Sequence, residues 1–185
     1  MRRSRGLKPT IGAFVRMNLV AVLSVLLLTP CVPVDAPKEF PFLAGLTIPK
    51  ERLPQGCEPA KLPADFLGLR GFQNQAVSTD PRLFVIADER LGDLLDPKLI
   101  QATCFGIYRE KNDVGIVGWA FQSEEAAKAA HAKLAESYKQ EPDRMRFWRA
   151  GRHVVWLWRD RGTTDECFAA LAKFVDERVD VAENP

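Results

Sequence analysis

Residues 144–161 hold six arginines, Arg144, Arg146, Arg149, Arg152, Arg159 and Arg161, interleaved with Trp148, Trp156 and Trp158. Guanidinium groups present a planar fork of donors to anions, and indole rings stack on flat ligands or on guanidinium planes. A surface built from Arg144, Arg146, Trp148, Trp156 and Trp158 would suit an anionic or aromatic small molecule. The competing reading is structural. There, a proline-rich segment upstream covers the tryptophans and the arginines fringe them in water. Burial separates the two: a sealed face has no site, whereas a pocket lined by a few polar groups is one.

The face each side chain takes depends on the turn joining two strands, Met145 to Trp148 and His153 to Arg159. A two-residue Ala150-Gly151 loop would force Ala150 to positive φ, which is costly for a residue with a Cβ. A type I turn with Gly151 in the left-handed position avoids that cost. It pairs Trp148 with Arg152, Arg146 with Val154 and Arg144 with Trp156. Arg144, Arg146, Trp148, Val154, Trp156 and Trp158 then share one face, and Met145, Phe147, Val155 and Leu157 the other. A one-residue slip would scramble this assignment.

Other chemistry is thinly represented. His153 sits beside the turn and could serve as a general base only with an acid close by. His131 lies among alanines and lysines and reads as a surface or boundary residue. Cys167 falls in a first helical turn, where the dipole lowers a thiol pKa, but no motif gives it a histidine partner. The sequence contains neither a Gly-x-Ser-x-Gly elbow nor a glycine-rich phosphate loop. No cysteine pair has metal-ligand spacing, and with two histidines in the chain a zinc site is not expected. No metal and no cofactor are implied, and no catalytic residue is assigned.

The elements that would position these residues read as α+β. Leu83 to Ala87 is a short apolar run with the look of a buried strand. Thr103 to Arg109 and Val114 to Phe121 are rich in β-branched and aromatic residues around a Lys111-Asn112-Asp113 turn, a hairpin. Ser123 opens a helix with Glu124 and Glu125 in its first turn and an Ala127, Ala130, Leu134, Tyr138 stripe. After the second hairpin, Thr163 and Glu166 form a capping box for a last helix with Phe168, Leu171, Phe174, Val175 and Val179 inward. The two halves resemble one unit used twice, Tyr108-Arg109 matching Trp148-Arg149 and Trp119 matching Trp158. The expected architecture is an antiparallel sheet with both helices on one face, a ββα-ββα pseudo-repeat. This order is a circular permutation of the ferredoxin-like βαββαβ order, a resemblance of topology that carries no function.

Three segments follow. Residues 1–36 have basic residues Arg2, Arg3, Arg5, Lys8 and Arg16 before an apolar run, Leu19 to Leu28, then Pro30, Cys31, Pro33 and Ala36: an export signal. The run is short of the roughly 20 apolar residues a bilayer span needs. Cleavage near Ala36, an uncleaved anchor and lipid attachment at Cys31 all stay open. Residues 37–81 form a proline-rich arm. Phe40, Phe42, Leu43, Leu46, Ile48, Leu53, Phe66, Leu67 and Phe72 suggest that it wraps the domain, a disordered tether being the alternative. Residues 82–180 form the α+β domain.

Of 26 basic and 24 acidic residues, the first segment holds five and one. The remainder carries 21 and 23, so net charge offers no argument for nucleic acid. Outside the cytoplasm a disulfide is permitted, and Cys57 in an irregular stretch can reach Cys167 at a helix start, with Cys104 left as a buried thiol. The function expected is an exported, non-catalytic binding or structural module of the cell envelope or exterior. The rival is a small-molecule-binding protein or enzyme using the Trp/Arg face. No specific partner is identified. The N-terminal segment provides for membrane association, and a protein partner is the other open option.

Overall fold

In a computed structural model, residues 36–63, 66 and 73–183 are described. In chain order the elements are α1 (Ala36–Glu39), α2 (Pro41–Ala44), β1 (Glu58–Pro59), β2 (Val77–Ser78) and α3 (Pro81–Arg90). Then come β3 (Ile100–Arg109), β4 (Asp113–Phe121), α4 (Glu124–Ser137), β5 (Met145–Ala150), β6 (His153–Arg159) and α5 (Asp165–Glu183). The export segment, but for Ala36, lies outside the described residues, as do Leu67 and Phe72. Among the described residues no helix is long and apolar enough to cross a membrane.

All strand pairs are antiparallel, in one six-stranded sheet of order β1-β3-β4-β6-β5, with β2 also pairing β3. The outer edge of β3 is closed in pieces. β1 pairs with its C-terminal end at Tyr108 and Arg109, β2 pairs with Thr103 and Cys104, and the Asn74 amide bridges the gap between them. Asn74 Oδ1 accepts from Ile107 N–H at 2.8 Å, and its Nδ2 donates to the carbonyls of Ile107 at 2.7 Å and Ala60 at 3.0 Å. A side-chain amide has the same donor and acceptor as a peptide, so it completes the ladder where the backbone departs.

β3 and β4 are buried along nearly their whole lengths, so both sheet faces are covered. On one face α5 packs with the arm: Phe40, Leu43, Leu46 and Ile48 join Tyr108, Ile116, Leu157, Phe168, Leu171 and Phe174 in a single core. On the other, α3 and α4 cover Phe105, Val117, Trp119, Val154 and Trp156. The expectation of both helices on one face is therefore corrected: α4 and α5 lie on opposite faces. The cause is α3. Leu83 to Ala87 is helix, not strand, and it packs over β3, on the part of that face that α4 leaves free.

Why 81–90 is helical is clear in retrospect. The Asp80 side chain accepts from Arg82 N–H, and Pro81 occupies the first helical position, where a missing N–H costs nothing. Leu83, Phe84, Ala87 and Leu91 are the buried apolar positions, a helical spacing. The Ser123 cap is as expected, whereas the Thr163–Glu166 capping box is replaced by Thr164, whose own N–H donates to Glu110 at 3.2 Å. Ser123 accepts from Ala126 N–H at 3.2 Å. At α5 the cap is Thr164, whose hydroxyl oxygen accepts from Cys167 N–H at 3.4 Å, not Thr163. Thr163 is buried and its hydroxyl donates to the Asp113 carbonyl instead.

Cys57 and Cys167 are bridged, with Cα atoms 6.0 Å apart, joining the stretch before β1 to the first turn of α5. An ion pair between Arg52 and Glu177 ties the arm to the same helix. Cys104 is a free, buried thiol, and burial pushes its pKa up to about 12.

Candidate functional site

The turn between β5 and β6 decides where the tryptophans go. Ala150 pairs with His153, leaving Gly151 and Arg152 as a two-residue loop. Gly151 has φ +51 in the first central position, as a type II′ hairpin turn requires. The strained loop dismissed in the sequence had Ala150 in that place; shifting the loop by one residue puts glycine there. Trp148 consequently pairs with Val155 and Phe147 with Trp156. Relative to the expected register this is a slip of three residues. An odd slip turns every β5 side chain to the opposite face relative to β6.

The expected Trp/Arg face is thus divided. Arg146 and Trp148 lie on the α5 side. Arg146 sits over the Phe168 ring at 5.4 Å, and the Trp148 indole N–H donates to Asp176 Oδ1 at 2.6 Å. Trp156 and Trp158 lie on the α3/α4 side. There they line a cavity of about 440 Å³, and Arg144, just before β5, lines it with them.

The floor of the cavity is the sheet: Phe105 and Ile107 from β3, Val117 from β4, Trp156 and Trp158 from β6. Ile86 and Ala87 of α3, Met145 and Phe66 complete the apolar lining. Trp158 is close to the backbone of its cross-strand neighbour Gly115; a Cβ there would meet the indole at 2.5 Å. Trp156 belongs to an aromatic row. Its ring is nearly parallel to Trp119 (centroids 6.3 Å apart, 8°) and to Phe147 (6.4 Å, 9°), with Trp158 tilted at 6.1 Å. Such offset arrangements are favourable beyond the area they bury.

Four charged residues line the cavity: Asp113, Arg144, Arg159 and Asp160. They gather at one end of the sheet, where β4 begins, β6 ends and β5 begins. Two are committed elsewhere. Asp113 accepts from Arg109 Nε at 2.7 Å and Nη2 at 3.0 Å. The Arg159 guanidinium donates to the Asp143 carbonyl at 2.7 Å and to Asp165 at 2.6 Å, and lies over Phe168 at 4.8 Å, on the α5 side. Arg144 Nη1 donates to Glu141 at 2.8 Å, but its Nε is buried without a partner. The Trp156 Nε1 is likewise buried and unpartnered. Asp160 is exposed.

The remaining candidates are accounted for by packing. His153 stacks on Phe42 with ring centroids 4.6 Å apart, and its Nδ1 lies 3.2 Å from the Ala150 carbonyl. Burial, the larger cause, and the Arg152 charge hold its pKa below the ordinary 6.5. The folded state therefore binds this proton more weakly than the unfolded chain. Stability due to neutral His153 is complete above about pH 6.5 and is lost as pH falls through the lowered value. Urea-unfolding midpoints should fall more steeply below neutral pH in the native protein than in His153→Gln; parallel curves would remove His153 as the cause. Cys167 is bridged, so it offers no thiolate nucleophile. His131 Nε2 makes a 3.5 Å contact with the Phe147 carbonyl. Among the described residues no group of three or more His, Cys, Asp or Glu side chains could hold a metal ion.

Sequence reasoning missed the walls of the cavity. Ile86 and Ala87 were hidden by the misread element, and the one available signal was Asp80-Pro81 ahead of the apolar run. Phe105 and Ile107 were recognisable as strand residues, but nothing local says that their face carries a gap. Compared with known proteins, the chain matches no family model, and no curated protein or solved structure is significantly similar to it.

Proposed function

We propose that the protein is an exported, non-catalytic binding module whose ligand site is the cavity lined by Trp156, Trp158 and Arg144. One observation carries this reading: Phe40, Leu43, Leu46 and Ile48 of the arm pack on the opposite face of the sheet, with α5, and Phe66 of the arm lines the cavity beside the tryptophans without filling it. An apolar, partly aromatic hollow of about 440 Å³ with a few charged residues is of the size and make-up that small-molecule sites have. Arg146 and Trp148 have no part in this site.

The disulfide suggests a location outside the cytoplasm. Export by the 1–36 segment extends that reading, and mass spectrometry of the native protein should place its first residue between 29 and 37. The pseudo-repeat is kept as part of the proposal. The strand order β3-β4-β6-β5 supports it, while the placement of α5 opposite α4 departs from ferredoxin-like packing.

The test of the site is a tryptophan-fluorescence titration with N-phenylnaphthylamine, a flat apolar probe. Saturable quenching is expected in the native protein. It should be lost in Ile86→Trp, which fills the cavity from the partly exposed side of α3. Quenching that survives Ile86→Trp, or none in the native protein, would leave the structural-module reading in its place.

A further inference from the structure

We propose that the cavity binds an organic cation, a molecule with an apolar, ring-sized body and an ammonium group at one end; this rests on the cavity being the ligand site and adds the sign of the ligand's charge. Strand alternation places the charged groups. Asp160 follows Trp156 and Trp158 at every second position and lines the cavity with them, while Arg159, between the last two, turns its guanidinium to Phe168 on the α5 side. The pairing of β4 with β6 continues one step past Val114 and Arg159. Asp160 N–H donates to the Asp113 carbonyl at 2.9 Å, which sets the two aspartates opposite each other, and both line the cavity.

Like charges directly opposite each other across two strands repel. Arg109, the neighbour of Asp113 on β3, offsets one of the two. The cations of the lining do not offset the other. Arg144 pairs with Glu141 and Arg159 with Asp165, so each is matched by a carboxylate outside the lining. Arg161, the next basic residue along the chain, does not line the cavity. Asp160 is exposed, and among the described residues its carboxylate has no ion pair and no hydrogen bond. Pair by pair, the charge left unmatched in the lining is negative. It stands beside aromatic rings, the partly exposed Trp158 two residues back and Trp156 and Phe105 further in. The face of such a ring attracts a cation and repels an anion. Carboxylate and rings thus favour the same sign, and the arginines that would have drawn an anion are already neutralised.

The experiment is calorimetric titration of the disulfide-bonded protein with three probes of one ring system: β-naphthylmethyl-trimethylammonium, β-naphthylmethanol and β-naphthylacetate. The ammonium is expected to bind about fivefold tighter than the alcohol and about tenfold tighter than the acetate. Asp160→Asn changes an exposed side chain and keeps the N–H that reaches Asp113. It should cut the ammonium's lead over the acetate by about threefold while moving the alcohol's affinity by less than about twofold. Added salt should narrow the same lead in the native protein, and less so in the variant. N-phenylnaphthylamine quenching in the same samples separates this proposal from the reading beneath it. With quenching intact, equal binding of the three probes, a lead for the acetate, or a preference unchanged in Asp160→Asn would overturn the cation and leave the cavity as the site. With quenching absent, the cavity is not the ligand site and the proposal falls with it.

Discussion

Replacing Cys57 and Cys167 together by alanine is expected to lower stability by about 2 to 5 kcal/mol, the largest single effect foreseen for this fold. The bridge closes a loop of 110 residues, from the stretch before β1 to the first turn of α5. Cutting it releases the unfolded chain from that constraint, and in the chain-entropy model the penalty grows with the logarithm of loop length. The native arrangement should nevertheless survive. Leu43, Leu46 and Ile48 remain buried against the same core, each stabilising by roughly 2 kcal/mol, and the Arg52–Glu177 pair is untouched. The expected signature is a lower urea midpoint with an unchanged folded-state spectrum. An unchanged midpoint would mean that the two sulfurs contribute nothing to the arm's attachment.

Gly118→Val should cost about 3 kcal/mol, by a different route. Gly118 sits in β4 on the face where the arm docks. A Cβ there would lie 2.6 Å from Leu46 Cδ1 and 2.9 Å from both Cys104 Sγ and Leu43 Cδ2. Each of these atoms ends a movable side chain, but Leu43 is wholly buried and Leu46 and Cys104 nearly so, leaving no direction in which all three can retreat. Strand β4 is held between β3 and β6, so the backbone cannot yield either. The arm is the element that should give way. Limited proteolysis within residues 37–56 should accelerate, and Leu46→Ala combined with Gly118→Val should cost less than the sum of the two alone. Strict additivity, or a protease-resistant arm, would show that the core accommodates the extra volume elsewhere.

Leu83 to Ala87 shows where local reading failed. Five consecutive apolar residues satisfy a buried strand and a helix segment alike, because a run without a polar residue shows no periodicity of its own, although Val85 at its centre is exposed. Only the preceding Asp80-Pro81 distinguished them. The expectation of both helices on one face came from the ββα-ββα order, which does not register that α3 joins α4 on one face while α5 packs with the arm on the other.

The sequence by itself determined the two long hairpins, the Ser123 cap, the inward face of α5 and the choice of Cys57 and Cys167 over Cys104 as the bridged pair. Each depends on residues near one another in the chain or on the chemistry of single side chains. What only the tertiary structure decided was the face on which each tryptophan lies. His153-Val154-Val155-Trp156-Leu157-Trp158 is apolar on both sides, and in this fold both sides of the sheet are covered. When both faces are buried, the hydrophobic pattern no longer penalises a slipped register, and the turn alone selects it. That choice fell to the position of one glycine. It put Trp156 and Trp158 with Arg144 over the cavity and sent Trp148 and Arg146 to the other side of the sheet.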